Sequence, residues 1–265
     1  MNAPPWSRLL GGPVTLVFLA FVLVPFVALA VRSITEGGWS TGLGDDALWQ
    51  ALRLSLVTSA ISMALTVVLG TPMAYWLART RFRGRGAIDV LIQAPLVLPP
   101  VVAGLAMLMA FGAQSPLGQA LEAVGIHLPF TMVAVIMAQL FVGAPFFLRT
   151  AVLGFQAVDP VYEDLAQTLG RSPFGAFWHV SLPLALPSLL GGLAFAWARA
   201  LGEFGATIMF AGNFPGRTQT MPLAILSALE RDLSAALALA VVLAVLSFAL
   251  LGLLAWWASR RLAWQ

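Results

Sequence analysis

Six long apolar runs divide this 265-residue chain and leave its polar residues to short connections. The runs are residues 9–31, 48–78, 87–111, 130–152, 182–210 and 235–259. A hydrocarbon layer about 30 Å thick is crossed by a helix of roughly 20 apolar residues, so each run is long enough. The runs predict an all-α, polytopic membrane protein with about six transmembrane helices. The second and fifth runs are longer than needed, which predicts tilt or extension beyond the bilayer.

Composition excludes several classes of function. Only 9% of the residues are charged, against roughly 25% in soluble domains. The chain has no cysteine and no lysine, so it lacks a thiolate metal site, a P-loop ATP site and Schiff-base chemistry. We therefore predict no catalytic residues, no metal site and no cofactor bound by this chain. The arginines do not form a soluble basic face, which argues against nucleic acid as a partner. Energy must come from a gradient or from a partner protein.

The arginines predict the orientation of the spans, because cytoplasmic loops carry an excess of basic residues. With both termini in the cytoplasm, the inner side holds Arg8, Arg79, Arg81, Arg83, Arg85, Arg149, Arg171, Arg260 and Arg261. The outer side then holds only Arg32, Arg53, Arg217 and Arg231. The cluster from Arg79 to Arg85 anchors the second and third spans beside anionic lipid. The first run is too long for a signal peptide, and we predict that this helix is retained.

A polar, helix-competent segment of about residues 159–180 lies between the fourth and fifth spans. Asp159 can cap a helix that begins at Pro160, and acidic residues follow near the helix end that favours negative charge. Gly170 permits a turn and Pro173 restarts the chain. Three aromatic residues then offer apolar surface: Phe174, Phe177 and Trp178. The segment predicts either a docking element for a protein outside the membrane or an amphipathic helix that rests on lipid.

The same segment resembles the EAA signature of ABC importer permeases. Residues 164–170 (DLAQTLG), then nine residues, then residues 180–183 (VSLP) follow that pattern, with Asp164 and Leu165 in place of Glu and Ala. The resemblance implies two short helices that dock into an ATPase subunit. The residues implied in this coupling are Glu163, Asp164, Ala166, Gly170, Pro173, Leu182 and Pro183.

Two further motifs resemble the molybdate permeases within this superfamily. They are residues 198–207 (ARALGEFGAT) with residues 212–224 (GNFPGRTQTMPLA), and residues 95–102 (PLVLPPVV), which recurs in oxyanion importers. The resemblance covers about residues 47–265 of a single permease domain, with an extra N-terminal span at residues 9–31. Sulfate permeases carry close relatives of these motifs, so a sulfate or thiosulfate permease is the alternative.

The resemblance implies a set of partners. These are a second copy of the chain, two ATP-binding cassette subunits that hold ATP and Mg, and an external binding protein that delivers molybdate or tungstate. The implied location is the bacterial or archaeal cytoplasmic (inner) membrane. A gradient-driven transporter and an intramembrane enzyme are remote alternatives, because the sequence offers only lone Glu203 for proton coupling and no convergent catalytic set.

Several intramembrane residues are candidates for the translocation path or its gate: Arg199, Gly202, Glu203, Thr207, Pro95, Pro99 and Pro100. Arg199 and Glu203 are spaced i, i+4 and can pair, either beside the path or as a brace between helices. The prolines predict either a simple kink or a helix that restarts at Pro100 and presents its N-terminus to an anion.

Two patterns of small residues in the spans predict helix packing. Gly192, Ala196 and Ala200 follow one another at spacing four and favour close packing over a gate. A stripe of hydroxyls on the second span favours hydrogen bonds between helices over a polar path; its members are Ser55, Ser59, Ser62 and Thr66.

Overall fold

The computed structural model describes residues 5–37, 39 and 46–262 of the chain. Those residues form twelve α-helices and one π-helical turn, and no β-strand occurs among them. The first six helices are α1 Pro5–Thr35, α2 Asp46–Arg79, α3 Arg85–Val97, α4 Pro100–Phe111, α5 Pro116–Ala123 and α6 Met132–Ala157. The remaining elements are α7 Val161–Thr168, α8 Pro173–Ala176, the π-turn Phe177–Ser181, α9 Leu182–Leu201, α10 Gly205–Phe210, α11 Met221–Leu229 and α12 Leu233–Leu262.

The described helices confirm a polytopic membrane protein. Five helical segments are long and apolar enough to cross a bilayer, and a sixth crossing results if the bent pair α3–α4 counts as one span. The five are Gly11–Thr35, Asp46–Arg79, Met132–Ala157, Pro173–Leu201 and Leu233–Ala258. The first of them lies at the periphery, where the Phe26 ring packs edge-on against Phe248 of α12 at 5.0 Å.

Helices α2, α6 and α9 pack around the main core. Phe147 and Phe155 of α6 are fully buried there. Small residues let the helix backbones come close: a Cβ on Gly143 would lie 3.1 Å from the Ala196 carbonyl oxygen, and a Cβ on Gly192 would lie 2.9 Å from Thr150 Cβ. The predicted packing role of the small residues on the fifth span is therefore confirmed.

The third span is not a single helix. Helix α3 ends at Val97 and α4 begins at Pro100, and the two axes differ in direction by 114°. The simple-kink prediction is therefore wrong, and the alternative of a restart at Pro100 is correct. The reason is that two consecutive prolines remove two backbone donors, so Leu98 and Pro99 take extended conformations between the helices.

The fifth span is also broken. The expectation of one long helix over residues 182–210 is wrong, because α9 ends at Leu201 and α10 begins only at Gly205. The three residues between them, which include Glu203, are not helical. The fifth span also begins earlier than the predicted residue 182. The π-turn continues directly into α9, and the spanning segment starts at Pro173.

Candidate functional site

The polar loop after α6 folds as two short helices joined by a tight turn. Asp159 Oδ1 accepts a hydrogen bond from the Val161 N–H at 3.0 Å, just before α7, although this helix begins at Val161 and not at Pro160 as predicted. Gly170 has φ +87°, a conformation that favours glycine, and no atom lies near the position of a Cβ there. Ser172 Oγ then accepts from the Gly175 N–H at 3.1 Å and caps α8.

Glu163 fastens α7 to the end of α2. Its Oε1 accepts hydrogen bonds from Arg79 Nε at 2.9 Å, from Arg79 Nη2 and from Ser181 Oγ, and its Oε2 accepts from Tyr75 Oη at 2.7 Å. Arg79 Nη1 also donates to the Val158 carbonyl oxygen at 2.9 Å. The Arg79 and Glu163 side chains are only 16% and 12% exposed. This cluster, Tyr75–Arg79–Glu163–Ser181, ties the second span, the polar loop and the start of the fifth span together.

The electrostatics of the cluster favour the ionised carboxylate. Burial by itself raises the pKa of Glu163, but the hydrogen bonds from Ser181, Tyr75 and Arg79 and the positive charge of Arg79 outweigh it. The pKa of Glu163 therefore lies below its ordinary value. Glu163 is charged at neutral pH and its charge is compensated inside the protein.

The loop's outer face is apolar and exposed. Its large hydrophobic side chains are about half exposed or more: Val161, Tyr162, Leu165, Leu169, Phe174 and Trp178. Phe177 differs from the prediction, because its ring turns inward and packs against Tyr75 at 4.8 Å and Phe155 at 6.1 Å. The inner face of the loop is fixed by the Glu163 cluster, and its outer face is apolar and exposed. Such an exposed apolar face is typical of a surface that another protein covers.

The residues predicted for coupling divide between the two faces of the loop. Glu163 and Ala166 are one turn apart and lie on the inner, partly buried face of α7. Asp164, Gly170 and Pro173 are exposed on the outer face. Leu182 packs against the main core, and Pro183 is exposed in the first turn of α9.

The breaks in the third and fifth spans lie against each other. A Cβ on Gly205 would lie 2.8 Å from Pro100 Cβ and 3.0 Å from the Val101 nitrogen. One turn further, a Cβ on Gly104 would lie 2.6 Å from the Ala206 carbonyl oxygen. Helices α4 and α10 therefore run in close contact from their first residues, which only glycine permits at these two points.

Arg199 and Glu203 form the predicted ion pair beside these breaks. Arg199 Nη1 lies 2.7 Å from Glu203 Oε2, but outside the angular range of a hydrogen bond, so that oxygen is held by charge alone. Glu203 Oε1 accepts from the Ala206 N–H at 2.7 Å and so caps α10. The Glu203 side chain is fully buried, whereas that of Arg199 is 29% exposed. This geometry favours the interpretation of Glu203 as a structural brace between helices. Of the two side chains, Arg199 is the one exposed enough to line a translocation path.

The other candidate path residues differ in solvent exposure. Pro99, Pro100 and Gly202 are exposed at the breaks. Thr207 is fully buried in α10, and its hydroxyl has no hydrogen-bond partner among the described residues. Pro95 lies two residues before the end of α3 and lines an apolar groove against α6.

Two of the four hydroxyls in the α2 stripe make hydrogen bonds between helices, as predicted, whereas Thr66 donates to the Ser62 carbonyl oxygen of its own helix and Ser62 Oγ has no partner among the described residues. Ser55 Oγ accepts from the Met221 N–H at 2.7 Å, and Ser59 Oγ accepts from Trp197 Nε1 at 3.0 Å. All four members of the stripe are buried, with exposures of 2% or less. The stripe therefore joins α2 to α9 and α11.

Sequence reasoning missed the partners of Glu163. It assigned Arg79 only to the arginine cluster that anchors the spans and gave Tyr75 and Ser181 no role. The available signal was the i, i+4 spacing of Tyr75 and Arg79 in the last turns of α2, which places a hydroxyl and a guanidinium on one face. Across the described residues, no group of three or more His, Cys, Asp or Glu side chains could hold a metal ion.

Known proteins resemble this chain in sequence and in fold. A family profile described as "Binding-protein-dependent transport system inner membrane component" matches residues 67–263. The chain is 43% identical over 229 residues to the molybdenum transport system permease protein ModB of Mycobacterium bovis, covering 86% of each protein. It is 36% identical over 204 residues to the sulfate transport system permease protein CysW of Synechococcus elongatus, covering 76% of this chain and 71% of the relative.

Among solved structures, a bacterial ABC transporter involved in the import of the acidic polysaccharide alginate has a similar fold. The TM-score is 0.71 at 15% identity, and the match covers 96% of this chain and 94% of that one. At this identity the likeness concerns the fold alone.

Proposed function

Because the chain belongs to the family of binding-protein-dependent transport system inner membrane components, we propose that it is the permease subunit of an ABC importer that carries molybdate, or its analogue tungstate, into the cytoplasm. The observation that carries the choice of oxyanion is the 43% identity to a molybdenum transport permease over 86% of both chains. The sulfate permease relative is less similar and covers less of the chain. Sulfate is therefore the second candidate substrate.

The proposed complex contains two copies of this chain, two ATP-binding cassette subunits and an external oxyanion-binding protein. ATP and Mg bind to the cassette subunits. The chain itself contributes no catalytic residue, no metal ligand and no cofactor. We further propose that both termini and the polar loop face the cytoplasm of a bacterial or archaeal cell, in line with the arginine distribution.

In this proposal the loop transmits the motion of the ATPase. The exposed apolar face of α7 and α8 is the surface that the cassette subunit grips. The Glu163 cluster then carries the movement to the end of α2 and to the start of the fifth span, because buried ion pairs and hydrogen bonds make these elements move together. The broken helices respond where α4 and α10 touch, and the partly exposed Arg199 beside them is a basic group that can face an anion on the path.

The assembled complex in liposomes tests the proposed substrate. We expect its ATPase activity to rise when the binding protein is loaded with molybdate or tungstate, and to stay at the basal level with sulfate. Equal or greater stimulation by sulfate would assign the chain to the sulfate branch. A chain that transports the oxyanion without any ATP-binding partner would refute the importer assignment itself.

A further inference from the structure

A polar cleft opens between α3 and α6 near the arginine-rich turn that joins α2 to α3. It has a volume of about 270 Å³. Three residues of α3 at successive i, i+4 positions form one wall: Arg85, Asp89 and Gln93. Arg149 and Gln156 of α6 face them from the other side. This is an unusual amount of polarity to place between two membrane-spanning helices.

The arginine of α6 is exposed and has no carboxylate partner among the described residues. Arg149 is eight residues from the C-terminal end of α6, which corresponds to about 12 Å along the helix. Its Nη1 donates to Gln93 Oε1 at 2.8 Å, and in the described part of the chain no acidic group lies within ion-pair distance of it. An exposed arginine near the end of a spanning helix, with no carboxylate partner, attracts an anion.

The charges in the cleft do not cancel. Arg85 Nε lies 3.8 Å from Asp89 Oδ2, so these two groups offset each other loosely and Arg149 leaves a net charge of about +1. A phosphodiester carries one negative charge and offers oxygen acceptors to guanidinium donors. A free dianion such as molybdate or sulfate would leave a negative excess beside Asp89. The charge count thus favours a phosphodiester over the transported anion.

An apolar groove continues from the cleft between α6 and the bent pair α3–α4. It has a volume of about 550 Å³ and shares Ile92 and Leu148 with the lining of the cleft. From Leu148 to Met137 it follows α6 for eleven residues, or about 16 Å. This length is close to half of a hydrocarbon layer about 30 Å thick, which is the depth of one lipid leaflet.

We propose that the cleft and the groove together bind one anionic phospholipid, with its phosphodiester between Arg85 and Arg149 and an acyl chain along the groove. The headgroup neutralises the Arg149 guanidinium, which has no carboxylate partner among the described residues, and the acyl chain covers the apolar side chains of the groove. The lipid would hold α3, which leads into the break at Pro99, against α6. The proposal does not depend on which oxyanion the protein transports.

The test measures lipid binding to the purified full-length chain by native mass spectrometry, with phosphatidylglycerol and phosphatidylcholine as probes. We expect phosphatidylglycerol to bind more tightly than phosphatidylcholine. Arg149→Gln removes one positive charge and should weaken the binding of phosphatidylglycerol by about five-fold or more. The reason is that a basic residue near the membrane surface contributes about a factor of five to the affinity for an anionic lipid. The matched control is Arg83→Gln, which removes an exposed arginine from the adjacent turn but not from the cleft.

A second variant should act in the opposite direction. Asp89→Asn raises the net charge of the cleft and should tighten the binding of phosphatidylglycerol by up to about five-fold. A misfolded protein would not show this gain in affinity. Ala144→Trp fills the groove and should weaken the binding of phosphatidylglycerol without changing the charges of the cleft.

Three outcomes would overturn the proposal. Equal weakening by Arg83→Gln and Arg149→Gln would mean that only diffuse surface charge attracts the lipid. Displacement of the lipid by millimolar inorganic phosphate or sulfate would mean that the cleft is a free-anion site. The chain has no native cysteine, so Met137→Cys can report a second copy; a disulfide-linked dimer would mean that protein covers the groove.

Discussion

The Glu163 cluster gives the sharpest prediction, because one side chain joins three parts of the molecule. Glu163→Gln keeps the shape of the side chain but removes the negative charge and turns one acceptor into a donor. An exposed ion pair contributes about 0.2–1 kcal/mol, and breaking a fully buried one costs about 3–5 kcal/mol. At 12% and 16% exposure the pair lies nearer the buried limit, and we expect a loss of about 2 kcal/mol.

The measurement is the thermal unfolding midpoint of the purified protein, followed by tryptophan fluorescence. A loss of that size should lower the midpoint by roughly 4–8 °C in a chain of this length. Asp164→Asn is the matched control, since this neighbouring acid on the exposed face of α7 should shift the midpoint by no more than about 1–2 °C. Equal shifts in the two variants would refute the interpretation of the cluster.

A double-mutant cycle with Arg79→Gln isolates the pair itself. Two amides can still hydrogen-bond each other, so the double variant should be more stable than the sum of the single effects predicts, by about 1–2 kcal/mol. Additive effects would show that Glu163 and Arg79 contribute independently.

The same cluster sets a dependence of stability on pH. The pKa of Glu163 is lower in the folded protein than in the unfolded chain, so its contribution is complete above the unfolded pKa and is lost as pH falls through the folded pKa. The wild-type midpoint should therefore decline on acidification below the ordinary range of a glutamate, and the difference between wild type and Glu163→Gln should narrow. A constant difference across that range would contradict the assignment of charge.

Three other predictions concern the turn, the breaks and the intramembrane pair. Gly104→Ala places a Cβ 2.6 Å from a backbone oxygen of α10 and should cost about 1–3 kcal/mol by thermal unfolding, whereas Gly191→Ala, with nothing near, should not destabilise. Gly170→Val strains a residue at φ +87° by about 1–2 kcal/mol and should reduce transport while membrane insertion, assayed by fractionation, remains normal. Exchange of the two charges, Arg199→Glu with Glu203→Arg, should restore part of the transport that either single reversal removes; absence of any rescue would argue against the pair.

Local pattern was enough for several features of this protein. The apolar runs predicted the spans, because a helix must reach across the hydrocarbon layer. The i, i+4 spacing of Arg199 and Glu203 predicted their ion pair, although Glu203 itself lies beyond the end of the helix. The hydroxyls of α2 were predicted to bond between helices, and Ser55 and Ser59 do so. All of these depend on one segment at a time.

The positions of the helix breaks and the inner face of the polar loop required the tertiary structure. Glu163 and Asp164 are adjacent acids, and the sequence predicted the same role for both. Only Glu163 turns inward, because its carboxylate accepts hydrogen bonds from Tyr75 and Arg79, which lie 88 and 84 residues earlier in the chain. Likewise, Gly205 permits a break in the fifth span because Pro100 of another span lies against it. The sequence by itself determined which segments cross the membrane and which one is polar. Which side chain faces inward depended on groups from distant segments, and no periodicity within a single segment encodes that information.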